Sequence, residues 1–322
     1  MSARPVASVS LDLDNLWAYL KTHGDPNWER RPTFLPAAVP RLLEVFGEHR
    51  LTSTVFVVGA DAERDDGAAA IGAITAAGHE VANHSFGHEP WLHRYSRAEL
   101  EVEVAKAEEA IVGAGAPRPT GFRGPGFSVT RDLLEVLAER GYRYDATTLP
   151  TWIGPLARAY HNRTAPTAGE PGRDDLFGGF SMVRAPNTPY RWRVGSGALT
   201  ELPVTTMPLL RTPIHGSYLL QLHQASPRLA RGYFRTALFL CRLRGVSPSL
   251  LLHPTDVLGA ADAPGMEFFP GMSVPSGQKV ALLGWVLAEL RGHFDVVGTG
   301  EHATRVGAEL RDRDVSRVRR CG

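Results

Sequence analysis

Four short stretches of the chain gather residue types that carry acid–base or metal chemistry. In Ser10-Leu11-Asp12-Leu13-Asp14-Asn15, strand alternation sends Asp12 and Asp14 to one face, so two carboxylates leave a strand end toward a common point. The plainer alternative is that these acids cap the next helix. In Asn83-His84-Ser85-Phe86-Gly87-His88, a helical turn after the strand would put both imidazoles on one side, the geometry for gripping a single divalent ion. The chain has 12 histidines, so pairs at this spacing also arise by chance. In Gly121-Phe122-Arg123-Gly124-Pro125-Gly126-Phe127-Ser128, a strand ends in an arginine able to hold a carboxylate ionised. The glycines that follow allow a backbone to approach a ligand closely, although such a run also reads simply as a loop. Leu250-Leu251-Leu252-His253-Pro254 delivers one histidine to the end of an apolar strand, where it can equally be structural.

The elements around these stretches must bring them to one place. Short apolar runs alternate with helical patterns, the signature of β/α units around a largely parallel sheet or barrel. In such folds the active site lies at the C-terminal ends of the strands, where all four stretches fall. Strands are expected at residues 6–13, 52–58, 80–83, 121–123, 144–146, 199–204, 250–253 and 294–297. Helices are expected at 36–49, 68–77, 97–113, 130–140 and 278–291, the third opened by a Ser96 to Glu99 capping box. Regularity fails over about 150–198, read as an ordered insertion, where Trp152, Phe180, Tyr190 and Trp192 could stack on a sugar face or pack the loop. The Leu-rich stretch at about 207–245 reads as a pair of helices beside the mouth. The Arg-rich tail, 305–322, reads as a frayed end.

Composition removes whole classes of function. The apolar fraction of 43% and charged fraction of 21% in 322 residues are those of a globular chain. With 35 basic and 34 acidic side chains, a net charge of +1 offers no nucleic-acid footprint. Only Cys241 and Cys321 are present, so a disulfide scaffold and a zinc ribbon are both out. No apolar run reaches signal-peptide or spanning length, which makes a cytoplasmic protein the expectation.

Taken together, Asp12-x-Asp14, His84-x3-His88, Arg123-x-Pro125 and His253-Pro254 resemble the motifs of the polysaccharide deacetylase family, also called the NodB-homology or carbohydrate esterase family 4. The resemblance covers residues 8 to about 204 and 250 to about 301. It implies a distorted (β/α)7-type barrel over residues 1–304. The D-x-D spacing, in place of adjacent aspartates, is similar to a branch that includes peptidoglycan-deacetylase-like proteins, cyclic imide hydrolases and lipid-linked aminoarabinose deformylases.

The resemblance assigns roles. Asp14, His84 and His88 become the metal ligands, with zinc the expected ion and cobalt, nickel or manganese compatible with the same donors. Asp12 becomes the general base, held ionised by Arg123, and His253 the acid that protonates the leaving amine. Asp145 would orient His253, or else form an ordinary Asx turn. A backbone amide between Arg123 and Phe127 would stabilise the oxyanion. Gly126 stands where many members carry an aromatic residue, which passes the substrate wall to Phe127 or Trp17. The implied reaction is N-deacetylation or deformylation of an acylated amino sugar, either a glycoside intermediate or a lipid-linked sugar that would bring peripheral contact with the inner membrane face. The alternatives are a cyclic imide or amide hydrolase and a non-catalytic carbohydrate-binding relative.

Overall fold

The computed structural model describes residues 4–153, 185–307 and 310–318. The first strand sets the pattern. In β1 (Val6–Asp12), Ala7, Val9 and Leu11 alternate with Ser8, Ser10 and Asp12, and residues 7–12 are all buried. A strand covered on both faces belongs in the middle of a parallel sheet, and one of its two buried faces is polar.

The remaining strands are β2 (Thr54–Val57), β3 (Glu80–Asn83), β4 (Gly121–Phe122), β5 (Tyr144–Asp145), β6 (Tyr190–Val194), β7 (Gly197–Glu201), β8 (Ser249–Leu252), β9 (Asp295–Val297) and β10 (Asp312–Asp314). They form one sheet in the order β10-β6-β7-β5-β4-β3-β2-β1-β8, with β9 pairing the start of β1. The β6–β7 hairpin is antiparallel, and the other ladders are parallel. No ladder joins β7 to β8. The gap is crossed where Thr205 N–H donates to Ser249 O (3.0 Å) and Ser249 N–H to Thr205 Oγ1 (2.8 Å). The chain is thus an α/β fold with a parallel-rich sheet in which the segment after β7 reaches the edge strand β8.

The helices are α1 (Leu16–His23), α2 (Leu35–Glu48), α3 (Gly59–Ala62), α4 (Asp65–Ala76), α5 (Arg97–Gly113), α6 (Arg131–Glu139), α7 (Gly216–Ala225), α8 (Pro227–Leu243), α9 (Ser276–His293) and α10 (Thr299–Val306). The largest apolar core lies between β1, β2 and β8 and helices α2, α4, α8 and α9, where Val9, Leu11, Phe46, Val55, Phe234, Leu252 and Leu287 meet. The expected capping box is present: Ser96 N–H donates to Glu99 Oε2 (2.7 Å) and Glu99 N–H to Ser96 Oγ (3.3 Å). The helix pair expected at 207–245 is α7 and α8.

Two expectations change. Of the proposed insertion, residues 190–194 belong to the sheet as β6, and Tyr190 and Trp192 are buried there, Trp192 donating its indole N–H to Glu201 Oε2 (2.9 Å). Neither can stack on a sugar, whereas Trp152 stays exposed and Phe180 lies outside the described residues. The tail is not simply frayed, because residues 312–314 pair in parallel with β6 and the Arg313 guanidinium covers the Tyr190 ring at 5.2 Å.

The sheet tolerates little added volume under the site. A Cβ on Gly121 would lie 1.9 Å from Cζ of the buried Tyr144. Gly121→Ala should therefore destabilise the protein by about 1–3 kcal/mol in urea unfolding, through overpacking. An unchanged midpoint would contradict the packing of β4 on Tyr144.

Candidate active site

The polar face of β1 organises the site. Asp12 Oδ1 and Ser10 Oγ both accept from Arg123 Nη1, at 2.6 and 2.9 Å, and Arg123 Nε donates to Ala146 O at 2.8 Å. Arg123 is wholly inaccessible, and its guanidinium lies 4.2 Å from the Phe56 ring centroid. A charge so placed requires a partner of opposite sign, and Asp12 is that partner.

Arg123 also orients the first histidine. His84 Nδ1–H donates to Arg123 O at 2.6 Å, which turns Nε2 toward Asp14 Oδ1 at 3.2 Å. His88 Nε2 lies 3.0 Å from the same Asp14 oxygen, and all three residues are buried. Burial alone would raise the Asp14 carboxyl pKa, but the His88 and His84 rings outweigh it and hold the carboxyl well below its usual range. Burial works against charge on His84, yet Asp12 and Asp14 together push its pKa up.

A loop, not a helical turn, brings the two imidazoles together. Ser85 (φ 63°) and His88 (φ 46°) adopt left-handed conformations, which non-glycine residues hold only when neighbours impose them. The neighbours are visible. Asn83 Oδ1 accepts from Ser85 N–H (2.8 Å), and Glu103 of α5 accepts from the Phe86 and Gly87 amides at 3.0 and 2.6 Å.

His253 follows β8, whose Leu252 pairs with Leu11, so His253 and Asp12 stand at the ends of adjacent strands. The carboxylate at His253 is Asp256, not Asp145. Asp256 Oδ2 accepts the His253 backbone N–H at 2.9 Å, and Oδ1 accepts Ser217 Oγ at 3.0 Å. Burial raises the Asp256 pKa, and the neighbouring His253 offsets part of that rise. A Cβ on Gly216 would lie 2.2 Å from Asp256 Oδ2, so a larger residue there would displace the carboxylate. Beneath this turn the buried Lys279 donates to Thr255 O (2.8 Å) and Leu258 O (2.5 Å), and burial brings its pKa down to about 8. Tyr19 of α1 is a further group at the site: burial, then Asp14, Asp256 and Asp12, push its pKa well above the ordinary value. Nothing in the local sequence marked Tyr19, Asp256 or Lys279, because their roles arise only from tertiary neighbours.

Asp145 occupies a different place from the one expected. It pairs in register with Glu201, its Oδ1 accepts from Thr147 Oγ1 at 2.5 Å, and both carboxyls are fully buried. Burial raises the Asp145 pKa to about 6 and, with the Asp145 charge, raises that of Glu201 well above its usual value. Trp17 is likewise no open wall: it is buried, donates its indole N–H to Asp61 Oδ1 at 2.8 Å and meets the His88 ring edge-on at 6.4 Å. Gly126 and Phe127 do form the turn after Arg123, with φ of 64° and 58°, and both are partly exposed. In that turn the amides of Arg123, Gly124 and Phe127 donate to Asn83 O, Thr147 Oγ1 and Gly124 O. Gly126 N–H is left as the amide available to an incoming oxygen.

The donor set fits a metal. Ligand atoms of Asp14, His84 and His88 lie within 4.8 Å of one another. Their carboxylate–imidazole chemistry and the carbonyl behind His84 suit a three-ligand divalent site with open positions. A cavity of about 580 Å³ lined by Glu80, Arg143 and Thr304 lies at the opposite, N-terminal ends of the strands and takes no part in this chemistry.

Two outcomes follow. Purified protein offered Zn²⁺ should hold about one equivalent by elemental analysis, Asp14→Ala should lose it, and Asp12→Asn should keep it. Because protons compete for His84, affinity should fall on acidification by up to about tenfold per pH unit for each proton displaced. For the Asp145 pair, a raised folded pKa gives stability that is present below the unfolded value and lost as pH rises through about 6. Urea unfolding between pH 4 and 7 should show that decline in the parent and a flatter profile in Asp145→Asn. Parallel profiles would contradict the assignment.

Comparison with known proteins agrees with this geometry. The family model for polysaccharide deacetylase matches residues 24–144, which include His84, His88 and Arg123. A peptidoglycan deacetylase of Helicobacter pylori is 28% identical over 149 residues, 45% of this chain and 50% of that protein. A chitooligosaccharide deacetylase of Sinorhizobium fredii is 42% identical over 76 residues, 24% of this chain and 34% of that protein. The matches thus span half or less of these relatives' lengths. A solved Mycobacterium smegmatis structure, named as a candidate polysaccharide deacetylase, superposes with a TM-score of 0.61 at 23% identity, covering 97% of this chain and 94% of that one, and shares the fold. The motifs, the strand-end geometry and the match over residues 24–144 agree, and over that segment the chain is similar to the polysaccharide deacetylase family.

Proposed function

We propose that the protein is a metal-dependent hydrolase of a carbon–nitrogen amide bond, acting on an acylated amino sugar. One observation carries this reading: the Asp14–His84–His88 triad stands beside the buried Asp12–Arg123 pair. The relatives named above as deacetylases of peptidoglycan and chitooligosaccharides support the substrate class.

A divalent ion held by Asp14, His84 and His88 would supply Lewis-acid polarisation of the acyl carbonyl and make a water more acidic. The chain's own residues do the rest. Asp12, with its counter-charge built in, takes the proton of the attacking water at a carboxylate oxygen. The Gly126 N–H donates to the oxygen on which negative charge develops. His253 hands a proton to the departing amine, and the Asp256 carboxylate fixes the turn that carries it by accepting its backbone N–H. Trp17 packs against His88 and keeps that ring in place.

The assay is acid release from a panel of N-acetyl and N-formyl amino sugars, run beside cyclic imides, with the zinc-loaded protein. Hydrolysis of an acylated amino sugar is expected, and Asp12→Asn and His253→Gln should each lower turnover by roughly 10²–10⁴ while metal content is retained. Ring opening of an imide with no sugar turnover would assign the site to cyclic amides instead. Full activity in Asp12→Asn would remove Asp12 as the base.

A further inference from the structure

The helical hairpin α7–α8 and the turn before it carry a charge pattern unlike the rest of the chain. Between Glu201 and Asp256 there is no acidic residue, but there are six arginines, in a protein whose net charge is only +1. The deficit of acids lies on the surface. Along α8 the core takes Ala230, Phe234, Ala237, Leu238 and Cys241. The opposite side leaves Phe239 (65%) and Leu243 (66%) exposed among Arg235, Arg242 and Arg244. Arg235 is paired with Glu289 at 3.0 Å, whereas Arg228, Arg242 and Arg244 meet no acid among the described residues.

The turn presents a second apolar group. Residues 207–212 form a tight loop closed by Met207 N–H to Thr212 O (2.7 Å) and Arg211 N–H to Met207 O (2.9 Å). Its tip, Leu209 and Leu210, is 67% and 59% exposed, with Leu209 held at φ 74°. The half-exposed Trp152 braces the tip by donating its indole N–H to Leu210 O at 2.7 Å. Met207 and Ile214, at the feet of the loop, pack on Ala237 of α8. The leucine tip and the arginine helix are therefore parts of one packed unit.

Two adjacent exposed leucines, one held in a left-handed backbone conformation, with an indole at their side and unpaired arginines on the adjoining helix, match an anionic lipid surface. Acyl chains receive the apolar tips, and phosphates receive the guanidiniums. Scattered exposed leucines need no explanation, but Leu209 and Leu210 are adjacent and joined to the exposed Trp152 by a hydrogen bond. No described helix is long and apolar enough to cross a membrane, so the contact would be peripheral. We propose that the Leu209–Leu210 turn and the exposed face of α8 dock the protein onto anionic membranes. The same hairpin contacts the His253 turn through Ser217 and Asp256, so docking would bring the mouth of the site to the lipid surface.

The test is flotation of the full chain with phosphatidylcholine vesicles, with and without 30% phosphatidylglycerol, at low and high salt. No catalysis enters this readout, so its result is independent of the proposed reaction. Binding to the anionic vesicles is expected, weakened at least tenfold by Leu209→Ser with Leu210→Ser. Arg228→Glu with Arg242→Glu should weaken it similarly and abolish the salt dependence. These positions are exposed, so melting midpoints should match the parent. Three results would overturn the proposal: no binding by the parent, equal binding to neutral vesicles, or variants that bind as the parent does. Absence of vesicle binding would leave the patch to a protein partner.

Discussion

The Arg123 guanidinium lies at zero exposure among apolar strands, with the Asp12 carboxylate 2.6 Å away as its counter-charge. Removing either partner would strand a buried charge, a loss of about 3–5 kcal/mol. The pair does more than satisfy itself. The carbonyl of the same arginine receives the His84 ring, so the residue that holds the proposed base also sets which nitrogen the first histidine turns to the metal position. Base, ligand and oxyanion turn are tied to one residue at the end of β4. Their relative positions therefore depend on the sheet register more than on any flexible side chain.

That register is laid down by β1. Its serines and Asp12 share a face, and they meet Arg123 in the upper half and His302 below, where Ser8 Oγ lies 2.8 Å from His302 Nδ1. A one-residue slip would send Asp12 to the apolar face, where no cation awaits it. Pairing with β8 then places His253 at the strand end next to that of Asp12, and Asp256 holds the turn through the His253 backbone N–H. The polar interior is thus also a register lock, which explains why so polar a strand can sit in the middle of the sheet.

Much of this was legible in the sequence for a physical reason. Strands that end in the site must switch from apolar alternation to ligand-bearing residues within one or two positions, and Asp12, Asp14, His84, Arg123 and His253 all fall at such a switch. The loop between the histidines was not legible, because the Phe86 and Gly87 amides between its left-handed residues are held by Glu103 from a distant helix. The β6 strand had a signal in the alternation of Tyr190, Trp192 and Val194 with arginines, masked by the surrounding glycine, proline and asparagine. The β10 strand had none, since Asp-Arg-Asp has little strand propensity and owes its conformation to pairing with β6. Asp145 was misplaced because a strand-end acid looks the same whether it faces a histidine or a second buried carboxyl.

The central claim is that one metal position is defined by Asp14, His84 and His88, with Asp12 held back by Arg123. Crystals of the zinc-loaded protein, measured on both sides of the zinc absorption edge, test it most directly. The account expects a single anomalous peak at roughly 2.0–2.2 Å from Asp14 Oδ1, His84 Nε2 and His88 Nε2, with Asp12 still on Arg123. A peak ligated by Asp12, or none at the triad, would contradict it.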